Sequence, residues 1–143
     1  MRQGNNPYAA FGTQLITKKY TFVNPTAAGT YNLFTVTGDV IVRIIPVVST
    51  TIAAGVTTIC LGIAGSTDYM IADTSDGTLT ARRIWTDAIP SDEIEATDTI
   101  RDYIITDGND VVMEVKGDNI TGGEIIFYCF FTNLSSNGNV TIA

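Results

Sequence analysis

A chain of 143 residues with a net charge of -7, 45% hydrophobic and only 16% charged, is long enough to bury one core and too apolar to remain disordered. Its acidity argues against nucleic acid or an anionic membrane surface as partner, because phosphate recognition draws on a surplus of Lys and Arg, and only Lys18-Lys19 and Arg82-Arg83 form basic pairs. The longest strongly apolar run, residues 125–131, is far short of a bilayer-crossing helix, and the opening Met1-Arg2-Gln3-Gly4-Asn5-Asn6-Pro7 lacks the apolar centre of a secretion signal.

Residues 1–12 mix Gly, Asn and Pro with isolated aromatics, a composition expected to form an extended N-terminal arm that Tyr8 and Phe11 could anchor. From residue 13 to 143, short runs of Val, Ile, Thr, Tyr and Phe recur between turn signals. That pattern predicts a single all-β domain, an antiparallel sandwich or barrel of jelly-roll-like form.

The first strand is expected over 13–23, ending at Asn24-Pro25, and the second over 31–37. Gly38-Asp39 turns the chain into a third strand over 40–48, where Pro46 signals an edge or a bulge. In residues 56–64, Ile59, Leu61 and Ile63 alternate with Thr58, Cys60 and Gly62, giving one apolar face and one small face suited to close packing. Residues 69–72 and 78–86 are expected to pair as a hairpin across the Asp73-Thr74-Ser75-Asp76-Gly77 loop. Residues 88–101 read as a connector: Pro90-Ser91-Asp92-Glu93 resembles a helix start, but Thr97-Asp98-Thr99 limits any helix to a turn or two. Closing strands are expected over 103–106, 110–116 and 124–134, with turns at Asp107-Gly108-Asn109 and Thr121-Gly122-Gly123. The run at 125–131 is apolar at every position, so it is buried on both faces or covered by a neighbour. Val36-Thr37-Gly38-Asp39 and Val115-Lys116-Gly117-Asp118 echo one another as a reused turn.

The sequence carries no catalytic signature. The chain has no histidine, which removes the commonest general base and transition-metal ligand. It has neither a phosphate-binding glycine loop nor a dinucleotide fingerprint. Glu93, Glu95 and Glu114 are acidic without any fixed pairing, and the 73–77 loop lacks the alternating ligands of a calcium hand. Cys60 and Cys129 lie in apolar runs and read as small buried hydrophobes, a disulfide between them staying open. The expectation is a protein that is not an enzyme and takes no cofactor or metal. Arg82-Arg83-Ile84-Trp85 is the most interface-like segment, since Arg and Trp are enriched where binding energy concentrates. The alternative places Trp85 in the protein's own core with the arginines solvated. The candidate interface residues are therefore Tyr8, Phe11, Arg82, Arg83 and Trp85.

The 36–45 run with its Gly-Asp turn, Gly55-Val56-Thr57-Thr58-Ile59-Cys60-Leu61-Gly62, Ile84-Trp85-Thr86-Asp87-Ala88 and the 110–139 stretch resemble small structural proteins of tailed bacteriophages, over about residues 30 to 140. The resemblance implies a capsid decoration or cement protein: a homotrimer, made in the host cytoplasm, that binds the major capsid protein on the virion surface and stabilises the shell. A tail, neck or fibre-base protein is the alternative within the virion. A glycan-binding β-sandwich module is the alternative outside it.

Overall fold

The computed structural model describes residues 13–143, so Tyr8 and Phe11 lie outside the described residues. Alternation of β-branched and aromatic residues generates eleven strands, and the rest of the described chain is loop apart from two single-turn 3-10 segments at Asp76–Thr78 and Thr97–Thr99. The strands are β1 (Gln14–Thr21), β2 (Gly29–Thr37), β3 (Val40–Ala54), β4 (Thr57–Ile63), β5 (Ser66–Ser75), β6 (Arg83–Ile84), β7 (Ser91–Asp92), β8 (Tyr103–Ile105), β9 (Val111–Gly117), β10 (Ile120–Asn133) and β11 (Asn139–Ile142).

They form two antiparallel sheets. Sheet A runs β1-β10-β3, with β8 and β6 sharing the far edge of β3 and β7 beyond β6; sheet B runs β11-β2-β9-β4-β5. The order β1-β10-β3-β8 facing β2-β9-β4-β5 is that of a jelly roll, two Greek keys folded into a sandwich. The core lies between the sheets. Val42, Val48, Ile125, Phe127 and Phe131 of sheet A meet Leu33, Phe34, Ile59, Leu61 and Met113 of sheet B, all buried. Trp85 sits among them at 0% exposure, its ring edge-on to Phe127 at 6.5 Å.

The echoed turns serve one purpose. Gly38-Asp39 carries the chain from β2 in sheet B to β3 in sheet A, and Gly117-Asp118 carries it from β9 to β10. Both glycines have positive φ, 62° and 107°. Each aspartate then accepts a hydrogen bond from a neighbouring loop, Asp39 Oδ1 from the Asp107 amide at 3.1 Å and Asp118 Oδ2 from the Val56 amide at 2.8 Å.

Several expectations are corrected. The hairpin across 73–77 does not form. β5 instead pairs with β4 around Ala64-Gly65, and β6 pairs with β3 in the other sheet. The Asp76 carboxylate accepts from the Thr57 amide at 3.3 Å and is buried. Residues 76–78 thus carry the chain from one sheet to the other. Thr121-Gly122-Gly123 is not a turn but lies inside β10, where register shifts against β3 mark bulges. Ser91-Asp92 starts no helix; it forms β7, paired with Arg83-Ile84, inside a connector that is otherwise irregular. The third strand runs on past Pro46 to Ala54. The Pro46 carbonyl accepts from the Trp85 amide at 2.9 Å, so the missing N–H faces the short β6 and leaves the β10 ladder intact. The last strand, β11, had no expectation. The small face of β4 is confirmed: a Cβ at Gly62 would collide with the Ser66 carbonyl oxygen.

Candidate interaction surface

The two sheets differ on their outer faces. On sheet B the outward positions include Asn32, Thr58, Glu114 and Lys116, which is what a solvated antiparallel sheet should carry. Lys116 reaches the Asp73 carboxylate at 2.8 Å and Glu114 at 3.9 Å. Sheet A is apolar on both faces. Its register sets Ile104 beside Ile41, Phe130 between Leu15 and Arg43, Tyr128 beside Ile45, and Val47 between Ile126 and Ile84. These residues alternate with the buried core positions of the same strands and stay half-buried or exposed, Leu15 at 52% and Ile104 at 69%. The apolar run at 125–131 is the cause: odd positions enter the core and even positions face outward.

The charges on this face balance. Arg43 Nε donates to Asp102 Oδ1 at 2.8 Å. Glu124 accepts from the Ser49 hydroxyl at 2.6 Å and the Thr21 hydroxyl at 2.9 Å. These bonds, aided by the Lys19 charge, hold the Glu124 carboxyl below its ordinary value.

A second feature is an open groove of about 650 Å3 beside β5, lined by Tyr69, Ala72, Asp87, Asp98, Arg101 and Tyr103. Tyr69, 70% exposed, stands edge-on to Tyr103 at 6.1 Å. The β5 edge is blunted rather than free for pairing. It is bulged against β4. Its Met70 carbonyl accepts from the Tyr103 hydroxyl at 3.1 Å and its Ala72 carbonyl from the Thr74 hydroxyl at 2.8 Å.

Of the sequence-derived residues, the three that are described, Arg82, Arg83 and Trp85, do not form one surface. Trp85 is withdrawn from it, because its indole is fully buried and its Nε1 donates to Thr74 Oγ1 at 2.9 Å. Arg82 is exposed and pairs with Glu93 at 3.3 Å. Arg83 donates through Nη1 to the Pro90 carbonyl at 3.0 Å and lies 3.8 Å from Asp92. Both arginines tie β6 to the 90–93 segment. Sequence reading missed the breadth of the sheet A outer face, although the unbroken apolar run at 125–131 pointed to its centre.

Cys60 and Cys129 are both free and buried, on different sheets. Burial pushes the Cys60 thiol up to about 11 and the Cys129 thiol up to about 12. At pH 8 both are overwhelmingly protonated. A thiol reagent is expected to label neither in the folded protein and both in denaturant. Rapid labelling of either under native conditions would contradict the packing.

No protein-family model and no curated protein matches the sequence. Among solved structures, the chain is similar to a chain in the acidic stable capsid structure of Helicobacter pylori bacteriophage KHP30. The TM-score is 0.55 and the identity 17%, covering 92% of this chain and 94% of that one. A chain of the cyanophage Pam1 capsid asymmetric unit matches with a TM-score of 0.48 and 12% identity, covering 84% of each. At this identity the likeness to the KHP30 chain is one of fold.

Proposed function

We propose that this chain is a structural protein of a bacteriophage virion, a decoration or cement protein that binds the outer surface of the capsid and stabilises the shell. The observation that carries this reading is that sheet A bears apolar side chains on both faces. An isolated domain gains nothing from a second apolar face; a component of a protein assembly covers it with a neighbour. The jelly roll is a fold used in viral capsids, and the likeness to a chain of the KHP30 capsid supports the same direction. The partners in this reading are the major capsid protein and sister copies in a homotrimer, with synthesis in the host cytoplasm and residence on the virion surface. Arg82, Arg83 and the 1–12 segment with Tyr8 and Phe11 are further proposed contacts. The role is noncatalytic.

The test is reconstitution. Purified protein mixed with shells of the encoding phage that lack it should co-sediment, saturate at a fixed stoichiometry and raise the temperature at which the shells melt. A protein that ignores the shells but joins tails would move the reading to another virion component. The groove beside Tyr69 and Tyr103 favours one reading outside the virion, glycan binding, because an exposed aromatic ring, Tyr69, next to carboxylates suits a sugar ring. Glycan-array hits that disappear in Tyr69→Ala would favour it over the shell.

A further inference from the structure

We infer that the outer face of sheet A is the surface through which copies of this chain meet one another. The inference names the neighbour that the assembly reading requires, and rests on that reading only for the statement that the face is covered. Three observations select a second copy. The first is extent. The strands β1, β10 and β3, with the short β8 and β6 along their far edge, at ~4.8 Å spacing and with four rows of outward residues at ~6.8 Å, make a face of at most about 20 by 25 Å, or roughly 500 Å2. With an equal area from the neighbour, the contact buries about 1,000 Å2, the lower limit of a stable specific interface.

The second is charge. Two copies at -7 each repel, and they approach most easily through a region that adds nothing to that repulsion. On the outer face of sheet A, Arg43 is matched by Asp102 and Lys19 by Glu124. The third is composition. Phe130, Tyr128, Ile126, Ile45 and Val47 form a contiguous apolar centre, Arg43 lies beside it, and the Thr and Lys of β1 lie along one edge, the arrangement of an interface core with a polar rim. Sheet B offers no such surface, since its outward residues are mostly polar.

Sedimentation of the full chain over a range of concentrations tests the inference, with Trp85 fluorescence as a check that each variant folds. Wild type is expected as an oligomer. Phe130→Lys and, independently, Tyr128→Lys should lower the mass to a single copy of 15.3 kDa with Trp85 emission unchanged. Asn32→Lys, on the outer face of sheet B, should leave the oligomer intact. A wild type that is monomeric throughout, or oligomers that survive in both face variants, would overturn the inference. Oligomers that survive while shell binding is lost would also overturn it, giving the face to the capsid. Self-association lost in the face variants, from a wild type that never binds shells, would uphold the inference and sink the capsid reading instead.

Discussion

Replacing Trp85 by alanine should cost the domain about 3–5 kcal/mol, the range for deleting a large aromatic side chain from a packed core. The position concentrates three contributions. The indole is fully buried, its edge meets Phe127, and its Nε1–H satisfies the Thr74 hydroxyl, which in turn caps the Ala72 carbonyl. Trp85 belongs to the segment that follows β6 in sheet A, whereas Thr74 is in β5 of sheet B, so the hydrogen bond also ties the sheets together. Denaturant unfolding followed by far-ultraviolet dichroism measures the loss. Trp85→Phe should recover much of it, retaining the aromatic packing without the donor. An alanine variant as stable as wild type would show that the indole is not packed as described.

Gly117→Ala should be the other severe single change, costing about 2–4 kcal/mol. At φ 107° an alanine pays for a backbone conformation that L-residues avoid. Its Cβ would also press into the Val56 carbonyl oxygen, which is backbone and cannot rotate away. The same carbonyl accepts from the Asp118 amide at 3.0 Å, so relief of the clash would weaken the turn that joins β9 to β10. Gly65→Ala is the matched control, because nothing lies within 4 Å of a Cβ there. A Gly117→Ala variant that unfolds at the same denaturant concentration as wild type would refute this account of the turn.

Much of the fold was legible because its signals are local. The alternation of Ile59, Leu61 and Ile63 with Thr58, Cys60 and Gly62 specified β4 and its small outer face. The echoed Gly-Asp pairs marked two turns, which the structure uses as crossings between the sheets. The misreadings arose where a distant partner decides. The loop at 73–77 looks like a hairpin turn until Asp76 reaches the Thr57 amide, 19 residues away. Gly122-Gly123 has the composition of a turn, but the turn had already been made at Gly117-Asp118, leaving the glycines to absorb bulges against β3. β11 is short, follows a stretch of Ser, Asn and Gly, and is defined by pairing with β2 rather than by its own residues. At the candidate surface, residues 125–131 announced a strand apolar on both sides. That β1, β3 and β8 extend the same face was not readable before their register was known.

The position of β10 has a consequence for how the chain is made. β1 is the first of the described strands to be made, yet it pairs with β10, Gln14 opposite Phe131. During synthesis β1 therefore waits until β10, about a hundred residues further on, has been translated, on the order of ten seconds at ribosomal rates. Until β10 emerges, β1 and β3 each lack the strand that separates and joins them, and nascent chains stalled before residue 120 should lack the β1-β10-β3 ladder, with only the short β6 and β8 to pair with β3. The β1-β10-β3 ladder is thus closed late, after β2, β9, β4 and β5 of sheet B have all been made.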